Sequence, residues 1–203
     1  MVKAPFLPYG CRIVLASKSP RRHALLRNMG FEVITVSNGD ADEHYPGELQ
    51  AGDIPLYLAR KKAEGFSGNL EENDLLLTAD TIVWLDNAVI GKPSGRDEAL
   101  AMLRRLSGRT HEVFTGVCLI YRGQEHAFVA SSKVSFSALS EAEILYYVDQ
   151  YKPFDKAGAY GIQEWIGYVG VEGIDGSFYN VMGLPVQRLY TEMTRFLKSV
   201  GKL

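Results

Sequence analysis

The sequence predicts an α/β fold built on a mixed sheet, and three observations carry that expectation. Strand-like and helix-like segments alternate through the first half of the chain. Two long β-rich stretches then lie either side of Gly123-Gln124 and read as a hairpin. An amphipathic helical stripe closes the chain.

The elements follow in order. Arg12-Ile13-Val14-Leu15-Ala16 is short, apolar and partly β-branched, as a buried strand should be. Ser19-Pro20 next offers an N-cap and a first-turn proline, and the helix they open runs to about Met29 and stops at Gly30. Phe31 to Val36 reads as a second strand, and Ser37 to Asp53 as a polar, acidic, glycine-bearing stretch. A helix from about Pro55 to Glu64 precedes a third strand, Leu75 to Leu85. Asp86-Asn87 turns that strand into Ala88-Val89-Ile90. Ser94-Gly95-Arg96-Asp97 resembles a capping box before the spacing Leu100, Leu103, Leu106 and a stop at Gly108. The hairpin comprises Glu112 to Arg122 and Ala127 to Ala138. Ser140 caps a helix ending near Gln150, residues 151–163 form a glycine-bearing loop, and Ile166 to Ile174 reads as a strand. Pro185 opens the last helix, whose stripe is Val186, Leu189, Tyr190, Met193, Phe196 and Leu197.

Composition narrows the classes of function. With 46% hydrophobic residues in 203, the chain can bury a sizeable core as a single domain, with residues 1–11 as a short extension. A formal net charge of -2 gives no global field for gripping nucleic acid, so any anion site must be local. Cys11 and Cys118 form no C-x-x-C pair and read as reduced packing thiols. His23, His44, His111 and His126 lack metal-like spacing. No signal peptide or long apolar span is visible, which makes the cytoplasm the expected location, with no membrane partner.

Four segments carry candidate chemistry. Ser17-Lys18-Ser19-Pro20-Arg21-Arg22 sits where a strand becomes a helix. Helix N-termini favour anions, and two arginines added to that positive pole suit a phosphate; the alternative is that both are solvated or paired with acids. Lys62 falls on the inward stripe of its helix with Leu58, Ala59, Ala63 and Phe66, so it either meets an anion or snorkels to water. Asp80, in Ala79-Asp80-Thr81, interrupts a strand with apolar flanks. A carboxylate there serves a hard cation such as Mg²⁺ or Mn²⁺, orients a water, or pairs with a structural arginine. Asp155 to Gln163 is a loop of small residues ending in an amide that both donates and accepts, which suits a base edge. By themselves Lys92, Arg109 and Glu43 read as isolated surface charges.

Taken together and in order, these segments resemble the Maf family of nucleotide pyrophosphatases. The resemblance continues through Lys92-Pro93, Leu106-Ser107-Gly108-Arg109, Phe114-Thr115-Gly116-Val117, Asp155-Lys156-Ala157-Gly158, Tyr160-Gly161-Ile162-Gln163 and Asn180-Val181-Met182-Gly183-Leu184-Pro185. It implies a long curved mixed sheet with flanking helices, two lobes around a deep nucleotide cleft, and frequent homodimers. It implies metal-dependent hydrolysis between the α- and β-phosphates of a nucleoside triphosphate, with Mg²⁺ or Mn²⁺ as the divalent cation. Carried over residue by residue, the catalytic acid falls on Asp80 and an accompanying acid, with it a metal ligand, on Glu43. The phosphate-binding positions fall on Ser17, Arg22, Lys62 and Lys92. Arg21, Thr81 and Gln163 match the branch acting on dTTP and UTP, whereas a sister branch resembling a 7-methyl-GTP pyrophosphatase has Trp for the first and Glu for the last. The rival readings are that purine or modified-nucleotide activity and a non-enzymatic nucleotide-binding regulator of cell division.

Overall fold

The computed structural model describes residues 11–36 and 43–201. Most of the expected N-terminal extension and residues 37–42 of the acidic stretch lie outside the described residues. Strand β1 (Arg12–Ala16) leads to helix α1 (Pro20–Asn28) and strand β2 (Val33–Val36). Helix α2 (Asp53–Glu64) precedes β3 (Asp74–Leu85), β4 (Ala88–Ile90) and helix α3 (Arg96–Leu106). The hairpin strands β5 (Thr110–Tyr121) and β6 (Gln124–Phe136) are followed by α4 (Glu141–Tyr151). Then come α5 (Trp165–Gly170), β7 (Val171–Asp175), α6 (Phe178–Met182) and α7 (Val186–Ser199).

Among the described residues, one mixed sheet of seven strands runs β2-β1-β3-β5-β6-β7, with β4 paired to β3. β1 is parallel to both β2 and β3, pairing Ile13 with Val33 on one side and Leu75 on the other. The chain therefore leaves β1 in one direction and returns on its other flank, a topological switch point where open α/β sheets place ligands at the strands' carboxyl ends. β4 folds back antiparallel on β3 across Asp86 and Asn87, both with positive φ, as a two-residue hairpin turn requires.

The chain divides into two compact units. Among the described residues, the first comprises 11–36, 43–80, 115–130 and 183–201; the second comprises 81–114 and 131–182. Apolar packing in the first includes Val14, Ala16, Ala59, Ala63, Leu76 and Cys118. Here β5 approaches α2 so closely that a Cβ on Gly116 would lie 2.3 Å from the backbone of Pro55. The second has its own core, in which Leu100, Leu103 and Leu106 of α3 pack with Ile144, Tyr147 and Val148 of α4.

Two expectations are corrected. Ile166 to Ile174 is not one strand: residues 165–170 are α5 and only the remainder is β7. Burial follows a helical period, with Ile166 and Gly170 inside while Tyr168 is 80% exposed. Gly167 permits this, because a Cβ there would sit 1.8 Å from the carbonyl oxygen of Ile162. A short apolar run does not separate strand from helix by itself. The capping box at Ser94 is also displaced. Gly95 is the N-cap, and Glu98, one residue later than Asp97, receives both the N–H of Ser94 (2.7 Å) and its hydroxyl (2.6 Å). The reciprocal box is found instead at Ser140 and Glu143.

His111 is buried in the second unit. Its Nε2 lies 2.8 Å from the Tyr160 hydroxyl, its ring packs edge-on to Phe136 and Tyr160, and its Nδ1 has no hydrogen-bond partner. Burial holds its pKa at about 4, below the ordinary value. The unfolded chain therefore takes up that proton first, so the stability this group contributes is full above about pH 6.5 and is lost as pH falls toward 4. Urea midpoints should fall over that window, and His111→Phe should flatten that part of the slope whatever its offset in absolute stability. A variant as pH-sensitive as the parent would contradict this.

Candidate active site

The switch point brings several of the singled-out residues together. Ser17 follows β1 directly, and Ser19 caps α1 by accepting the N–H of Arg22 at 3.4 Å. Ser17 Oγ accepts the N–H of Ser19 (3.2 Å) and the Arg22 Nη1 (3.4 Å), while Arg22 Nε donates to the carbonyl oxygen of Gly183 at 2.8 Å. The guanidinium is thereby anchored on its Nε side at the positive end of a helix. Burial lowers its pKa, the Asp80 charge raises it, the adjacent Arg21 lowers it and Glu43 raises it, with the net shift downward. A cation kept there against desolvation and a like-charged neighbour gains from an arriving anion.

Asp80 is 8% exposed, inside β3 and next to the unit boundary. Its partner is Lys62, whose Nζ donates to Asp80 Oδ1 in a short ion pair. Side-chain exposures of 15% and 11% make this a largely buried pair. Lys62 thus turns inward with the apolar stripe of α2, and neither snorkelling lysine nor structural arginine describes the pair. Thr78 fastens the same helix to β3 by donating to the carbonyl oxygen of Ala59 at 2.7 Å. Glu43 Oε1 lies 3.9 Å from Lys62 Nζ, so two carboxylates face one ammonium. The neighbouring backbone is held as well, since Lys61 Nζ donates to the carbonyl oxygen of His44 at 2.9 Å.

Ser17, Arg21, Arg22, Glu43, Lys62 and Asp80 belong to the first unit; Thr81, Lys92 and Gln163 belong to the second. Lys92 is exposed on the segment after β4. Arg109 is a structural residue: its Nη1 donates to Asp86 Oδ2 at 3.0 Å beside the β3–β4 turn. Gln163 is half-buried, and its amide oxygen is buried without a hydrogen-bond partner. Such an atom costs roughly 1–3 kcal/mol unless something meets it.

Around Gln163 lies a network that sequence reading did not find. The fully buried Tyr147 accepts the N–H of Gly161 at 2.9 Å and donates to Glu164 Oε2. Burial, then the Glu164 carboxylate, pushes the phenol above its ordinary range, so it stays protonated and donates. Lys156 Nζ lies 3.1 Å from Glu164 Oε1 and 2.8 Å from Asp155 Oδ1. The signal available was Lys156 and Glu164 flanking a run of small residues, with no indication of Tyr147 as their partner. Among the described residues, no group of three or more His, Cys, Asp or Glu could hold a metal, and His126 instead faces Glu192 at 3.1 Å.

The fold and this cluster define an α/β protein with a group of cations and carboxylates at the sheet's switch point. Residues 12–196 match the family described as Maf-like protein. The chain belongs to the Maf family. A relative from Bacteroides thetaiotaomicron named dTTP/UTP pyrophosphatase is 54% identical over 184 residues, covering 91% of this chain and 95% of that one. One of the same name from Parabacteroides distasonis is 54% identical over 187 residues, covering 91% and 96%. A third, from Flavobacterium psychrophilum, is 47% identical over 179 residues, covering 88% and 91%. Among solved structures, a HAM1 protein from Coxiella burnetii aligns with a TM-score of 0.47 at 15% identity, over 91% of this chain and 99% of that one.

The ion pair generates a stability test. Lys62→Met alone strands a buried carboxylate, a loss that Asp80→Asn relieves. A double-mutant cycle by urea unfolding should return a coupling of roughly 0.5–3 kcal/mol. Additive single effects would mean that the pair does not couple α2 to β3.

Proposed function

We propose that this protein hydrolyses dTTP and UTP to the nucleoside monophosphate and pyrophosphate. The observation that carries the reading is the Asp80–Lys62–Glu43 cluster beside the arginine-bearing start of α1. The relatives' names support the choice of substrate.

In this reading Arg22 and Ser17 receive phosphate oxygens at the helix N-terminus, where dipole and guanidinium act together. Lys62 already faces carboxylates, so phosphate oxygens are natural partners for it as they arrive; Lys92 adds a further positive charge. A water oxygen forms the new bond to phosphorus, the bridge between the α- and β-phosphates breaks, and pyrophosphate leaves with the bridging electrons. Asp80 orients that water and accepts its proton. Arg22 and Lys62 stabilise the charge that develops on the phosphoryl oxygens.

Asp80 and Glu43 would also hold a divalent cation, Mg²⁺ or Mn²⁺. They fit that role in part: their oxygens already converge on one positive charge, and two carboxylates completed by substrate phosphates suit Mg²⁺. When bound, the ion supplies charge neutralisation and a more acidic water. Asp80→Asn should lower turnover of dTTP by at least about 10²-fold with the melting transition retained. Near-parental pyrophosphate release by that variant with Mg²⁺ or Mn²⁺ would remove Asp80 from the chemistry.

Base choice falls to Arg21, Thr81 and Gln163. Uracil and thymine present carbonyl acceptors flanking the N3–H donor, which an amide complements; an ionised glutamate offers acceptors alone. The unpartnered amide oxygen of Gln163 supports this assignment. Arg21→Trp combined with Gln163→Glu should cut kcat/KM for dTTP and UTP at least about ten-fold, because buried polar groups left unpaired discriminate strongly. Steady-state kinetics on dTTP, UTP and 7-methyl-GTP, with a thermal melt as folding control, tests it. A folded double variant that keeps its pyrimidine preference places base reading elsewhere.

A further inference from the structure

An amide side chain can read uracil or cytosine equally well. Uracil offers an acceptor at O4 and a donor at N3, whereas cytosine offers a donor at N4 and an acceptor at N3. Turning the amide by half a revolution about its last bond exchanges one pattern for the other. A glutamine that discriminates between them must therefore present its amide from a fixed place, where the surrounding groups favour one of its two orientations, and that place is set by the backbone.

The backbone around Gln163 is held on both sides. The N–H of Gly161 donates to the Tyr147 hydroxyl at 2.9 Å, and the same hydroxyl donates to Glu164 Oε2. The N–H of Glu164 closes a turn on the carbonyl oxygen of Gly161 at 2.9 Å. Its carboxylate folds back over that turn, so that a Cβ on Gly161 would lie 2.7 Å from the Glu164 carboxyl carbon. Lys156, with its side chain only 10% exposed, holds the other carboxylate oxygen at 3.1 Å. Downstream, the N–H of Gly167 donates to the carbonyl oxygen of Glu164 at 2.9 Å, and its α-carbon rests against Ile162. Gln163 lies within this clamp with a buried, unpartnered amide oxygen.

We infer that Tyr147, Glu164 and Lys156 are positioning residues for base selection: they hold the Gly161–Glu164 turn, and through it Gln163, in the place from which its amide accepts uracil or thymine and rejects cytosine. The inference rests on the reading of Gln163 as the residue that meets the base. None of the three touches substrate in this scheme. Their effect is to remove the ordering cost of the turn from binding and to fix where the amide meets the base.

The test is the ratio of kcat/KM for UTP to that for CTP. A purely structural loss lowers both nucleotides together and leaves the ratio unchanged. Tyr147→Phe keeps the ring in its stack on Tyr151 and deletes only the hydroxyl. It should lower the ratio about ten-fold, mainly through KM for UTP, as expected for one displaced polar contact. Lys156→Met should shift the ratio the same way, and Lys156→Arg should stay near the parent because it keeps the cation. If Tyr147→Phe fails to fold, Lys156→Met against Lys156→Arg decides the matter on the same ratio. Gln163→Ala separates the two layers. If it leaves the ratio unchanged, Gln163 is not the base reader and this inference falls with that reading. If it collapses the ratio while Tyr147→Phe and Lys156→Met preserve theirs, the positioning role alone is overturned.

Discussion

A carboxylate buried within a strand is the constraint from which the site is organised. Asp80 occupies a position where its apolar flanks leave little water, and a bare charge there would be costly. Lys62 answers it from α2, and the answer works because that helix is fixed against the sheet. Thr78 bonds to Ala59, and Gly116 lets β5 come against the Pro55 backbone. The ion pair is thus the polar end of an otherwise apolar packing arrangement. Its geometry depends on small residues, since added bulk at Gly116 would push the lysine-bearing helix away.

The switch point explains why Ser17, Arg21 and Arg22 stand together in the first unit. β1 has parallel neighbours on both flanks, so the chain leaving its carboxyl end meets a gap between diverging connections. Ser17 and the first turn of α1 stand at that gap, and the N–H groups there are polarised toward it. Arg22 is tied down by Ser17 and Gly183. A guanidinium held in this way gives up less freedom on meeting any oxyanion than a free one does.

The second unit uses its buried polar groups differently. Lys156 stands between the Glu164 and Asp155 carboxylates, and the neutral phenol of Tyr147 adds a hydrogen bond to Glu164. Asn180 has a comparable structural part, donating to the carbonyl oxygen of Val113 and to Ser132, both at 3.1 Å. Hydrogen-bonded networks of this kind rigidify a fold. The Gln163 amide oxygen is buried without a hydrogen-bond partner beside the turn that Tyr147 and Glu164 hold.

What the sequence determined by itself is what short-range stereochemistry controls. The start of β1, the Ser19-Pro20 opening of α1, the Asp86-Asn87 turn and the α7 stripe are each specified by adjacent residues or a helical period. The inward facing of Lys62 and the burial of Asp80 were legible for the same reason, because each breaks a local apolar pattern. That they face each other was not legible: the pairing joins a helix to a strand, and it depends on how β3 returns beside β1. The same limit hid Tyr147, which reaches Gly161 from a separate helix. It also produced the reading of residues 166–174 as one strand. There the decision lay with the close contact of Gly167 on Ile162, a packing event that no period in the sequence records. Tertiary structure decided the partners because burial and hydrogen-bond satisfaction are settled between elements brought together by folding.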